Sequence, residues 1–70
     1  MRLKDLREDS DLTQQKIAEY LNIKQNTYCQ YERGLRQIPI DLLVRLAEFY
    51  NVSVDYILNL TNVKAPYPKD

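Results

Sequence analysis

The side chains best equipped for specific chemistry lie in one short stretch, QNTYCQYERGLR from Gln25 to Arg36. Tyr28 and Tyr31 stand three apart and mark one side of a helix as its inner face. Asn26, Cys29, Gln30 and Arg33 then fall on the other side, with Gln25 at the N-terminal tip. An ordinary surface helix carries Glu and Lys pairs there; this one carries amides. Each amide offers a donor and an acceptor together, the pattern that matches the N6 and N7 edge of adenine in a DNA major groove. Between residues 24 and 36 the cations Lys24, Arg33 and Arg36 face one anion, Glu32, so this edge is locally positive.

Other chemistries lack their parts. The chain has no histidine, hence no ready general base, and its single cysteine, Cys29, excludes an internal disulfide and a cysteine-based metal site. Ser10 and Ser53 have no basic partner, and one glycine cannot make a phosphate-cradling loop. Neither catalysis nor a cofactor is expected. Ten basic and ten acidic residues cancel, and a pI near 6.2 argues mildly against a nucleic-acid partner. Distribution outweighs the sum, because acids gather at Asp5, Glu8, Asp9 and Asp11, away from the amide stretch.

The elements that must position these side chains are all helical; no stretch alternates as a strand does. Seventy residues, 44% hydrophobic and 29% charged, suit one small soluble domain with a modest core. A first helix is expected from about Arg2 to Glu8, with Leu3 and Leu6 inward, broken at Asp9-Ser10-Asp11. Thr13 caps a second, with Leu12 and Ile17 as a hydrophobic staple and Ile17, Ala18 and Leu21 as its apolar stripe. Asn22 tolerates a left-handed turn, after which Ile23 points inward. A third helix runs from about Gln25 to Glu32 and stops at Gly34. Pro39 opens a fourth, closed by Asn51. Ser53 caps a fifth, stapled by Val52 and Ile57 and ending near Leu60. Residues 1–60 thus form the domain, and 61–70, with Pro66 and Pro68, an extended or frayed tail.

Two short helices joined by a three-to-four-residue turn must cross steeply, as in a helix-turn-helix. Ala18 supplies the small residue at the crossing and Asn22 the turn. Ile17, Leu21, Ile23, Tyr28 and Tyr31 supply the wedge between the helices.

In these respects the chain resembles the phage-repressor type of helix-turn-helix, the Xre-like or Cro-like regulators of bacteria and their viruses. The resemblance runs from about Leu3 to Leu60 through RLKDLRED, LTQQKIAEYL, YERG, RQIPIDLLVRLAEFY and VSVDYIL. It implies an all-α, lambda-repressor-like domain of five helices that binds double-stranded DNA and regulates transcription, with repression the expected direction. The third helix would lie in the major groove, with Gln25, Asn26, Thr27 and Gln30 facing bases or adjacent phosphates. Gln14, at the start of the second helix, would meet phosphate, and Arg33 and Arg36 would follow the backbone. Arg7 and Glu32 match a largely buried ion pair of the family. Asn22 and Asp11 stand where the family often has Gly, and both accept left-handed backbone. Lys24 replaces a usual Ser or Thr cap on the recognition helix; it cannot cap, but it can meet a phosphate.

One short helix reads too few base pairs to mark a gene. A homodimer on inverted half-sites about 10 base pairs apart is therefore expected. Its contact is expected in the C-terminal part, with Tyr56, Leu60, Val63 and Tyr67 as candidates. The competing class is a protein-interaction module such as an antitoxin or anti-regulator, for which Tyr20, Tyr50, Tyr56 and Tyr67 would supply surface. Charged residues behind Met1 and the lack of a long apolar run lead to an expected cytoplasmic location, away from the membrane.

Overall fold

A computed structural model describes residues 1–66. Its helices are α1 (Leu3–Asp9), α2 (Gln14–Leu21), α3 (Gln25–Glu32), α4 (Ile40–Tyr50) and α5 (Val54–Ile57), and no strand occurs among the described residues.

The five helices end in one way. A residue with left-handed backbone follows each of them: Asp11 (φ 56°), Asn22 (58°), Gly34 (73°), Asn51 (56°) and Asn59 (65°). The N–H of each reaches back three residues, to Glu8, Glu19, Tyr31, Glu48 and Tyr56 respectively. The N–H of the next residue reaches back five, as in Leu12 to Arg7, Ile23 to Ala18 and Val52 to Ala47. This is the Schellman arrangement, which satisfies carbonyls that the helix itself leaves open. Asn and Asp tolerate the left-handed region better than other side-chain-bearing residues, which is why a chain with one glycine can make five such stops.

Helix starts are equally local. The Thr13 hydroxyl accepts from the Lys16 N–H at 3.1 Å, and the Ser53 hydroxyl from the Tyr56 N–H at 3.0 Å. Behind Thr13, the staple partners Leu12 and Ile17 are half-buried and buried; behind Ser53, Val52 and Ile57 are both buried. Pro39 sits at the cap position of α4, so Ile40 is its first helical residue. Arg2 likewise precedes α1 as its cap.

α5 is shorter than its apolar spacing suggests. The Leu58 N–H still bonds the Val54 carbonyl, but Asn59 turns left-handed and the Leu60 N–H closes on Asp55. The chain then runs back along α5. Residues 61–66 have no regular structure, yet they are anchored, with the Ser53 N–H bonding the Lys64 carbonyl and an Arg2 guanidinium N–H bonding Asn62. Tyr67 and Pro68 lie outside the described residues.

Every helix contributes to one core. Leu3 and Leu6 of α1, Ile17, Ala18 and Leu21 of α2, and Leu43, Leu46 and Ala47 of α4 close around Tyr28 and Tyr31 of α3. Ile38, Val52 and Ile57 complete it from the loops and α5. Fully burying a side chain of this size contributes about 1.5–3 kcal/mol. Tyr28, Leu46 and Ile57 are wholly inaccessible, so substitutions there should be the most costly.

Candidate nucleic-acid interface

α3 buries only Tyr28 and Tyr31, both on one side, and packs most extensively against α2. Ala18, buried at the α2 crossing, has too small a side chain to hold the helices apart. Asn22 then turns the chain, half-buried Ile23 packs against the core, and α3 begins after Lys24. Lys24 gives α3 no side-chain cap and stands exposed. The first-turn N–H groups of α3 are thus left for water or a ligand.

The surface so presented is amide-rich. Gln25 and Asn26 are exposed, while Thr27, Cys29 and Gln30 are half-buried along the flank of the helix. Arg33, Arg36 and Lys24 are exposed, and none of the three forms an ion pair among the described residues. Cationic groups free of acidic partners remain available to an anion. The amides and cations singled out in the sequence therefore gather around α3 and the loop behind it.

Gln14 stands somewhat apart. It is the first residue of α2, half-buried, and its amide N–H donates to Glu32 Oε1 at 3.2 Å. Its amide is oriented from within the protein before any ligand arrives. Glu32 is the centre of this network. Arg7 Nε donates to Glu32 Oε2 at 2.6 Å and Nη2 to Oε1 at 3.2 Å, while Nη1 donates to the Leu12 carbonyl at 2.8 Å. One guanidinium thus ties α1, the loop before α2, and the end of α3.

The pair is close to dry, with side-chain exposures of 13% for Arg7 and 3% for Glu32. Burial by itself would raise the Glu32 carboxyl; hydrogen bonds from Arg7 and Gln14 outweigh it and hold the group below the ordinary carboxylate value. The bond to Glu32 raises the Arg7 guanidinium further, against the opposing effect of desolvation. Burial, with Glu32 nearby, also pushes the Tyr28 hydroxyl well up. Burial similarly pushes the Tyr50 hydroxyl up to about 12. Neither hydroxyl makes a hydrogen bond of good geometry.

The sequence contained no signal for two of these features. Gln14 and Glu32 are 18 residues apart, and nothing in either helix marks them as partners. Arg45 of α4, unremarkable in the sequence, donates to the carbonyls of Tyr20 and Leu21 at the end of α2.

Comparison with known proteins agrees with this geometry. The helix-turn-helix family model matches residues 3–57. The chain is 45% identical over 65 residues to YobD of Bacillus subtilis (strain 168), an uncharacterized HTH-type transcriptional regulator, covering 93% of this chain and 58% of that protein. It is 44% identical over 62 residues to the HTH-type transcriptional regulator ImmR of the same organism, covering 89% and 49%. It is 34% identical over 53 residues to RstR of Vibrio cholerae, a cryptic phage CTXphi transcriptional repressor, covering 76% and 48%. The chain therefore spans about half the length of the curated relatives it matches. No solved structure matches it. With the family match running from the start of α1 to the end of α5, and the α2–Asn22–α3 crossing built as such a motif requires, the chain belongs to the helix-turn-helix family.

Proposed function

We propose that this chain binds double-stranded DNA sequence-specifically and regulates transcription, with α3 lying in the major groove. The observation that carries the proposal is the division of α3: tyrosines buried behind, amides and uncompensated cations displayed in front. Gln25, Asn26, Thr27 and Gln30 face base edges or the phosphates beside them. Lys24, Arg33 and Arg36 follow the backbone, and Gln14, steadied by Glu32, meets phosphate at the start of α2. The relatives named as transcriptional regulators support this reading, and RstR, named a repressor, favours repression as its direction. Such a module acts where the chromosome is, in the cytoplasm of a bacterial cell. No described helix is long and apolar enough to cross a membrane.

The working species is a homodimer on inverted half-sites. Of the five apolar residues that follow the helix stops, Leu12, Ile23 and Val52 turn toward the core; Leu35, directly behind α3, stays 65% exposed, and at the C-terminal end Leu60 is 71% exposed. Val63, close by in the chain, is 64% exposed. Leu60 and Val63 are the candidates for a contact between copies; Tyr56, half-buried beneath the Arg2 guanidinium at 4.0 Å, is already occupied. Selection of binding sites from random duplex DNA by the purified chain tests the proposal. Enrichment of an inverted repeat with half-site centres about 10 base pairs apart is expected. Recovery of no sequence above background would overturn it in favour of a protein-binding role.

A further inference from the structure

Three residues, Asn22 to Lys24, separate the end of α2 from the start of α3, so any looseness at that end is passed directly to the helix that reads. The turn satisfies part of α2 by itself: the Asn22 and Ile23 N–H groups take the carbonyls of Ala18 and Glu19. The carbonyls of Tyr20 and Leu21 lie beyond that arrangement, and α2 has no basic residue in its last turn to meet them. Arg45 meets them from α4. Its Nη2 donates to the Tyr20 carbonyl at 2.7 Å and its Nη1 to the Leu21 carbonyl at 3.4 Å. The guanidinium also lies 5.1 Å from the centre of the Tyr20 ring. Tyr20 answers by donating its hydroxyl to the Arg45 carbonyl at 3.4 Å, and its ring packs on Phe49 at 4.6 Å.

We infer that Arg45 is a positioning residue for the reading helix, capping α2 across the fold and thereby fixing the turn from which α3 departs. This rests on the proposal that α3 reads DNA. A positive charge at the C-terminal end of a helix meets the negative end of its dipole. The planar fork reaches two carbonyls at once, which an ammonium does less well. Without it, the turn samples poses in which Gln25 and Asn26 miss their bases. Apparent affinity then falls in proportion to the fraction of molecules still competent.

The test compares the parent chain with Arg45→Ala and Arg45→Lys, on a selected site and on random duplex, across a range of salt. Arg45→Ala should lose roughly three- to tenfold affinity on the selected site and little on random DNA, with an unchanged salt slope. Arg45→Lys should recover part of the loss. Amide exchange at Asn22 and Ile23 in the free protein should quicken in the order Arg, Lys, Ala. A salt slope lowered by about 0.9 would make Arg45 a phosphate contact instead. Unchanged selected-site affinity, equal losses on both DNAs, or unchanged exchange would each overturn the inference. Should Arg45→Ala fail to fold, Arg45→Lys gives the same readings with a smaller amplitude. A parent that selects no site would defeat the DNA proposal, and the exchange order would still decide whether Arg45 holds the turn.

Discussion

Removing one partner of the Arg7–Glu32 pair should destabilise the domain severely, and unequally for the two partners. Breaking a buried pair costs about 3–5 kcal/mol, chiefly because the remaining charge is stranded without compensation. Glu32 is 3% exposed, and Arg7→Met would leave it one donor, the Gln14 amide. Arg7 retains 13% exposure at its own edge, where water screens the pair, so the lower end of that range applies, about 3 kcal/mol. Glu32→Gln leaves Arg7 bonded to the Leu12 carbonyl and partly wet, so about 1–2 kcal/mol is expected there. For a domain this small, each kcal/mol lowers Tm by about 4–8 °C. Arg7→Met should therefore melt roughly 12–24 °C below the parent. Urea unfolding followed by circular dichroism, on both single variants and the double variant, measures the energies. The double variant should lose less than the sum of the singles, because with both charges gone nothing is stranded. If both single variants stay within about 0.5 kcal/mol of the parent, the pair is an ordinary surface contact and the reasoning from burial fails.

Replacing Gln25, Asn26 or Gln30 by Ala should cost about 1–3 kcal/mol on the selected site wherever the contact is bidentate, with little change on random DNA; equal losses on both for all three would remove them as readers. Replacing Lys24, Arg33 and Arg36 together should weaken binding to every sequence and reduce the log–log salt slope by about 0.9 for each phosphate that is no longer neutralised. An unchanged slope would put the phosphate-binding edge elsewhere. The lowered Glu32 carboxyl stabilises the fold above its ordinary value of 4.5, and that contribution should fade as pH falls through the folded-state value, so Glu32→Gln should flatten the acid limb of a stability profile. The Tyr50 hydroxyl has the opposite sign: its raised value leaves stability full below pH 10.0 and lost as pH climbs toward about 12. Because that hydroxyl is buried and unpaired, Tyr50→Phe should be neutral or stabilising by up to about 1 kcal/mol and should delay alkaline unfolding; a clear loss of stability would reveal a partner. Leu60→Asp and Val63→Asp should leave melting nearly unchanged, since both side chains are exposed, while lowering affinity for a full palindrome and sparing a single half-site. Full palindrome affinity in the pair of variants would move the contact into the helical body.

Whatever depends on neighbours a few residues apart was legible in the sequence. The caps at Thr13 and Ser53, the staples beside them, and the stops at Asn22, Gly34 and Asn51 are local chemistry, and each lies where residue type and spacing place it. The division of α3 into a tyrosine face and an amide face is likewise local, because helical periodicity alone assigns the sides. Asn59 shows where that reading fails. Apolar residues continue to Leu60, yet one left-handed residue ends α5 at Ile57, and periodicity cannot see a backbone that turns while the pattern runs on. Apart from the Arg7–Glu32 pair, which the family resemblance supplied, what joins distant residues emerged only with the packed fold. Packing brought Gln14 to Glu32 across 18 positions, sent Arg45 to a helix end 24 residues earlier, and anchored the Lys64 carbonyl on Ser53. It also chose which apolar residues after the stops were covered, turning Leu12, Ile23 and Val52 inward and leaving Leu35 and Leu60 in water. The difference is one of range. Capping, turning and amphipathicity act within about one helical turn and are written in adjacent letters. Partnership across the fold depends on how five helices settle against one another, and no pair of letters encodes that.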